Sequence, residues 1–466
     1  MIEITPNLNI SKSEPLYIQL YTYIKEEIQQ GRINAGVKLP SKRKLSVHLE
    51  ISQQTVETAY LQLLSEGYIE SKPRKGRYVA KLEEYPLSSA DKFVTGPSIT
   101  ENRGEEYEVD FSHGKIALDQ FPYFTWRKLS AQSLFEDEGS LFNNGDVQGE
   151  LNLRIEIVNY LYQSRGVRCT PQQVVLGAGT QYLISFITML IGRHCIYSIE
   201  DPGFHRTREA FIHQGVTLKY IPLDQDGLIV KKLIESRASV TYVTPSHQFP
   251  TGMVMPIARR LELLKWATET NGYIIEDDYD GEFRYKGKPI PALQGLDILN
   301  RVIYLGTFSK SLIPSIRVSF AVLPQELLEE YKRHFSTYKQ TVSRLHQHTL
   351  FQFMKNGHWE THLNRMRTLY RRRQKVLLKS IETNFSDQVK IIGDHAGLHI
   401  LVAVKNGMSE SELLETAKTH KVKVYPTSIY YKNSSPNNFP RILLGFGGVT
   451  EEEIEKGIMR LKKAWS

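Results

Sequence analysis

The sequence predicts an α/β protein in two folded parts. Three observations carry this. Residues 1–80 show three short runs of helical apolar spacing and then a hairpin pattern. Residues 81–107 are polar and punctuated by Pro86 and Pro97, with acidic pairs at Glu83, Glu84 and Glu105, Glu106, so they read as a linker. From residue 108 to 466 apolar strands alternate with helices, the pattern of a layered α/β domain. The 466 residues suit two or three domains, and 41% hydrophobic with 24% charged residues is the balance of a soluble globular chain. No apolar run approaches the roughly 18–20 residues of a membrane span, and Met1-Ile2-Glu3-Ile4 has no signal-peptide layout, so a cytoplasmic protein is expected. Cys169 and Cys195 lack metal-ligand spacing and are expected to be reduced. The net charge of +8 favours a polyanionic partner.

The first helix carries Leu16, Leu20, Ile24 and Ile28 on one face and stops at Gly31. Ser41 is the N-cap of a second helix with Leu45 and Leu49 inward, and Ser52 caps a third. That third helix buries Val56, Tyr60, Leu63 and Leu64 and ends at Gly67. Gln53, Gln54, Glu57 and Thr58 face away from the apolar stripe, and glutamine reads adenine through paired hydrogen bonds. Residues 68–70 and 78–80 flank a basic tip, Pro73-Arg74-Lys75-Gly76. Positive charge clusters in two patches, Lys38 with Lys42, Arg43 and Lys44, and Lys72 with Arg74, Lys75 and Arg77, as phosphate neutralisation requires.

The ordered set Leu39-Pro40-Ser41-Lys42-Arg43, Thr55-Val56, Ala59-Tyr60, Leu63, Glu66-Gly67 and Gly76 resembles the GntR-type winged helix-turn-helix over its full length. The resemblance implies double-stranded operator DNA as partner. It places the contacts at Ser41, Lys42, Arg43, Ser52, Gln53, Gln54, Thr55, Arg74, Lys75 and Arg77. The wing tip carries less glycine than is usual in that family.

In the large part, Val174 to Gln181 reads as a strand, a glycine turn and a helix start; backbone N–H groups at such a turn would cradle a phosphate, and a glycine kept for packing is the other reading. Glu200 to Arg206 puts an aromatic ring, Phe204, and a cation, Arg206, after another strand. Thr244 to Gly252 is a polar loop. The strand Tyr273-Ile274-Ile275 ends in Glu276, Asp277 and Asp278, followed by Tyr279. The strand Val302 to Leu305 ends at a turn carrying Thr307, Ser309 and Lys310, with Arg317 beyond. A lysine and an acid at the carboxyl ends of neighbouring strands are what a pyridoxal 5'-phosphate site requires. The lysine forms the Schiff base, and the acid keeps the pyridine nitrogen protonated so that the ring draws electrons. His113, His205, His247 and His395 share no metal-ligand spacing and read as hydrogen-bonded loop histidines, so no metal is expected.

Taken in order, with Asp146 to Arg154 as a further segment, these motifs resemble the fold-type I aminotransferase superfamily across residues 108–466. That implies a large α/β/α domain followed by a small C-terminal α+β subdomain. Joined to the winged module, the chain resembles the MocR/GabR-type transcriptional regulators. The resemblance implies that Lys310 holds the cofactor, Asp277 pairs with its ring nitrogen and Tyr279 bonds its phenolic oxygen. Phe204 stacks on the ring, and Ala178, Gly179, Thr180, Thr307, Ser309 and Arg317 hold the phosphate. Arg206 and Arg441 match a pair that takes an effector carboxylate. It also implies a head-to-tail, domain-swapped homodimer that senses an amino compound through an external aldimine. Phe249 stands where catalytic members carry asparagine, and Asn144 where many relatives carry tyrosine, so turnover is expected to be weak or absent. A working aminotransferase with a fused DNA-binding domain is the alternative.

Overall fold

The computed structural model describes residues 4–6, 8–9, 14–81, 107–136, 139–285, 290–432 and 439–466. The chain divides into two compact units, Met1–Arg103 and Gly104–Ser466. Residues 82–106 of the expected linker lie outside the described residues.

In the first unit, α1 (Leu16–Gln29) buries Leu20, Ile24 and Ile28. Ser41 caps α2 (Lys42–His48) by accepting from the Lys44 N–H at 3.3 Å. Ser52 caps α3 (Gln53–Ser65) by accepting from the Thr55 N–H at 3.0 Å. Each cap satisfies an N–H group that a helix start leaves without an intrahelical partner. The core forms from Leu20, Ile24, Val56, Ala59, Tyr60 and Leu63. Leu49 and Leu64, expected inward, are only half-buried, and Ala59 takes the inner face of α3 instead. Gly67 at φ 78 turns the chain out of α3. Then β1 (Ile69–Lys72) and β2 (Gly76–Val79) pair antiparallel, with Lys72 opposite Gly76.

The second unit opens with β3 (Val109–Asp110), which pairs in parallel with Val422–Lys423 near the far end of the chain. An eight-stranded sheet follows, built in chain order from β4 (Val174–Gly177), β5 (Ile196–Asp201), β6 (Thr217–Asp224), β7 (Gly227–Leu228), β8 (Val240–Val243), β9 (Tyr273–Asp278), β10 (Val302–Thr307) and β11 (Ser319–Val322). Its order is β4-β11-β10-β9-β8-β5-β6-β7. The middle pairs β10–β9, β9–β8, β8–β5 and β5–β6 are parallel, and β11 runs against both of its neighbours. Alternate residues enter opposite cores, as strand geometry dictates. Leu176, Tyr304 and Phe320 join one cluster, while Val175, Ile303, Leu305 and Ala321 join the other. Every residue of β4, β8 and β11 is buried, so with both faces covered these strands are apolar apart from Thr241 and Ser319.

A second, antiparallel sheet near the C-terminus contains Val389–Ile392, His399–Val404, Arg441–Gly445 and Tyr425–Pro426 in that spatial order. The helices His358–Phe385 and Glu451–Ala464 contribute Tyr370, Leu377, Ile454, Ile458 and Leu461 to its core. The unit is thus a large α/β/α layer with a smaller α+β subdomain.

Candidate functional site

The parallel core of the sheet aligns strand ends. Asp277, near the end of β9, lies opposite Leu305 of β10, two residues before Thr307. Because β4 and β10 both run against β11, their carboxyl ends share one edge with those of β5, β8 and β9. Ligands of open α/β sheets bind at that edge. There the turns after β4, β5, β9 and β10 line a cavity of about 250 Å³. Gly179, Thr180, Phe204, Arg206, Asp277, Tyr279, Thr307, Ser309, Lys310 and Arg317 all face it.

Among the described residues, Lys310 is the only lysine lining this cavity, and its Nζ donates to the His113 carbonyl. Enclosure of the amine pushes it down to about 8; nearby Asp280 opposes that shift and Arg206 adds to it. Asp277 is 5% exposed. Its Oδ2 accepts from the Tyr242 hydroxyl, while Oδ1 is buried and has no partner among the described residues. Burial pushes this carboxyl up to about 7. The Tyr242 bond opposes the shift, and the neighbouring acids Asp278, Asp280 and Glu276 reinforce it. An N–H⁺ donor at Oδ1 would stabilise the charged carboxylate and satisfy the orphaned oxygen.

At the other end of the cavity, Gly179 sits at φ +102, and a Cβ there would lie 2.0 Å from Arg317 Nη2. That glycine lets the Arg317 guanidinium cross the turn and donate to the Ala178 carbonyl at 3.1 Å. Thr180 begins the helix Thr180–Ile191, whose first N–H groups point outward from its start. Ser309 Oγ is buried and has no partner among the described residues, and Thr307 Oγ1 accepts from the Ser309 N–H at 3.2 Å and the Ser319 hydroxyl at 2.8 Å. A helix start, a guanidinium and an unpaired hydroxyl around one space suit a phosphate dianion.

Residues 108–461 match the family described as aminotransferase class I and II, and residues 16–79 match bacterial regulatory proteins of the gntR family. Over 464 residues the chain is 46% identical to the uncharacterized HTH-type transcriptional regulator YdeL of Bacillus subtilis (strain 168), covering 100% of both. It is 32% identical over 465 residues to the probable rhizopine catabolism regulatory protein MocR of Rhizobium meliloti, covering 97% of this chain and 94% of the relative. The chain belongs to the MocR-type transcriptional regulators. Among solved structures, kynurenine aminotransferase of Pyrococcus horikoshii, in complex with PMP, superposes with a TM-score of 0.68 at 25% identity, covering 77% of this chain and 90% of that one. The α-aminoadipate aminotransferase LysN of Thermus thermophilus gives 0.68 and 25%, covering 77% and 92%.

For a MocR-type regulator with this second domain, pyridoxal 5'-phosphate is the implied cofactor. The residues present fit it. The orphaned Asp277 Oδ1 suits a protonated ring nitrogen, and the Gly179–Arg317 cradle with the unpaired Ser309 hydroxyl suits the phosphate. Phe204 reaches the cavity but is stacked on Phe249, with centroids 3.8 Å and planes 6° apart, so one of its two faces is already covered. Tyr279 lines the cavity while its hydroxyl lies 2.9 Å from His247 Nδ1.

Two expectations need correction. Ala178 does not offer its amide to a phosphate; that N–H donates to Thr341 Oγ1 at 3.1 Å, and its carbonyl holds Arg317. Arg206 and Arg441 do not converge. Arg206 lines the Lys310 cavity, whereas Arg441 lines a separate cavity of about 920 Å³ with Asp201, Lys390 and His395. The cause is topological. Arg441 opens a strand of the small sheet, opposite Ala403, while Arg206 belongs to the helix that follows β5.

The gntR-family module makes DNA a partner of the chain. Gln53, Gln54, Arg43, Arg74 and Lys75 are exposed, and Ser41, Ser52 and Thr55 sit at the starts of α2 and α3. Lys42 and Arg77, two of the expected DNA contacts, also pair with Glu57 of α3 at 3.1 and 2.6 Å. Arg77 also lies over the Tyr60 ring at 5.1 Å. Sequence reasoning missed this clamp, and it missed Tyr242 and His399 beside the cavity. It read His247 as a hydrogen-bonded loop histidine, and His247 bonds Asp280 and Tyr279. Among the described residues, His247, Asp280 and His399 also gather within 4.8 Å, although 119 positions separate His399 from Asp280 in the sequence.

Proposed function

We propose that this transcriptional regulator holds pyridoxal phosphate at Lys310 and senses an amino compound there, changing how its winged modules hold operator DNA. The single observation that carries the reading is the juxtaposition of the Lys310 amine and the orphaned Asp277 Oδ1 on one cavity, in a chain whose other unit matches a DNA-binding family. When bound, the cofactor supplies an aldehyde that condenses reversibly with primary amines, and a ring that draws electrons. Asp277 would keep a proton at the ring nitrogen, Gly179, Thr180, Ser309 and Arg317 would hold the phosphate, and Lys310 would supply the competing amine. Arg206, exposed on the cavity wall, is the available partner for an effector carboxylate. Arg441 would join it only after the small subdomain moves. The aminotransferase fold family is usually dimeric, and the 25 or so linker residues can span several tens of ångströms. That reach supports a head-to-tail dimer, and a cytoplasmic location follows from the DNA partner.

The test is a screen of amino compounds that follows cofactor absorbance and operator binding together. A compound that moves both supports the reading; steady turnover with a keto acid, without a change in operator binding, refutes it in favour of an aminotransferase. Two further results are expected. The rate at which apoprotein captures pyridoxal phosphate should rise as pH increases from 7 to 9, because a Lys310 amine near 8 becomes neutral, and so nucleophilic, above that pH. Stopped-flow absorbance reads this; a flat profile contradicts it. Replacing Arg74 and Lys75 by alanine should weaken binding to every DNA sequence alike and reduce the salt slope by about one unit per lost contact. Fluorescence anisotropy over a salt series measures both.

A further inference from the structure

Behind Tyr279 lies a buried polar pair, His247 and Asp280, that the reading above leaves unused. The Tyr279 hydroxyl is 2.9 Å from His247 Nδ1, and the same nitrogen is 3.1 and 3.0 Å from the two Asp280 oxygens. His247 and Asp280 are each 2% exposed. Gly397, at φ +74, closes the wall behind them: a Cβ there would lie 2.0 Å from His247 Cε1 and 2.7 Å from Asp280 Oδ2. The arrangement therefore has little room to rearrange.

One ring nitrogen carries at most one hydrogen, yet three oxygens surround Nδ1. An ionised carboxylate only accepts, so a hydrogen on Nδ1 is drawn to Asp280. The Nδ1 lone pair is then gone, and Tyr279 has no acceptor for its own hydrogen in His247. Among the described residues its hydroxyl makes no other hydrogen bond, and Tyr279 lines the cavity. Its hydrogen must point to whatever occupies that space. The groups around the trio are Asp277, Tyr242 and Glu200 on neighbouring strands, His399 and His113 on the ring side, and Lys310 across the cavity. His399 is held neutral, chiefly by burial, and its Nε2 lies 3.1 Å from the Pro250 carbonyl, so it does not compete for Asp280.

We infer that Asp280 and His247 are positioning residues that make the Tyr279 hydroxyl an obligatory hydrogen-bond donor into the cavity, aimed at an oxyanion on the bound ring. This rests on the reading of the cavity as the pyridoxal phosphate site. With Asp280 replaced by asparagine, no charge holds the hydrogen on Nδ1 and the amide can itself donate to that nitrogen, so the tautomer that turns the Tyr279 hydrogen into the cavity is no longer enforced.

The test titrates pyridoxal phosphate into the full-length protein and records the dissociation constant and the pH midpoint of the bound cofactor's absorbance. Tyr279→Phe, Asp280→Asn and the double variant are compared with wild type. Each single change is expected to raise the midpoint by about one unit, tenfold in the proton equilibrium, and the double by no more than the larger single. A structural role alone would lower Tm and leave the midpoint in place. His247→Gln is the second route should Asp280→Asn fold poorly, with operator binding and Tm as the check of folding. A midpoint moved by Tyr279→Phe but unmoved by Asp280→Asn and His247→Gln overturns the inference, as does an additive double variant. Wild type that develops no cofactor band overturns the cofactor reading itself and the inference with it.

Discussion

Lys310→Ala is expected to abolish the response to the amino effector while leaving operator binding in its absence at the wild-type level. Among the described residues no other lysine lines the cavity, so no neighbouring amine can take over. The cofactor should become removable by dialysis and no longer fixable by hydride reduction. Some affinity should persist, because Arg317, Ser309 and Asp277 remain, and each charge-assisted hydrogen bond contributes about 1.5–3 kcal/mol. Folding should survive as well. Among the described residues the Lys310 amine makes a single bond, to the His113 carbonyl, and enclosure already disfavours its charge. Mass spectrometry after reduction, with operator binding measured at increasing effector, checks both halves. A variant that responds to the effector like wild type would remove Lys310 from the mechanism.

What the sequence made legible follows how local each signal is. The Ser41 and Ser52 caps act within three residues, and the structure has both. Lys310, Asp277 and Gly179 were readable because each ends an apolar strand at a small or polar turn, and strand ends converge in a parallel sheet. Groups that meet through register or long separation were not readable. Tyr242 reaches Asp277 because β8 lies beside β9, and Thr341 meets the Ala178 amide across 163 positions. Counting charges placed Lys42 and Arg77 in the two basic patches; only the packing of α2 and β2 beside α3 shows that both also pair with Glu57. Arg206 and Arg441 were paired by motif, and motifs carry no information about which sheet holds each residue. The same limit hid the trio of Tyr279, His247 and Asp280. Its members sit in two loops that the fold brings together, and a histidine in a loop has no spacing that announces its partner.

Gly179→Ala should cost the chain most of its cofactor affinity while keeping its fold. Two effects act at this position. At φ +102 and ψ 162 an L-residue is strained, at about 1–3 kcal/mol. The new methyl would also meet Arg317 Nη2 at 2.0 Å and Cζ at 2.7 Å. The obstructed group is the far end of a flexible side chain, so the guanidinium moves and the backbone stays. It then leaves the Ala178 carbonyl and the phosphate end of the cavity together. Losing one charge-assisted pair at about 1.5–3 kcal/mol corresponds to a fall in affinity of roughly 10- to 100-fold. Strain and displacement can be separated. Gly215 also has positive φ, +74, but among the described residues nothing lies within 4 Å of an added Cβ. Gly215→Ala should therefore lower Tm by a few degrees and leave cofactor binding unchanged. Arg317→Ala should reproduce the lost affinity without the strain. If Gly179→Ala binds the cofactor as wild type does, Arg317 is not the phosphate's partner, and the cradle has to be assigned to Ser309 and the helix start alone.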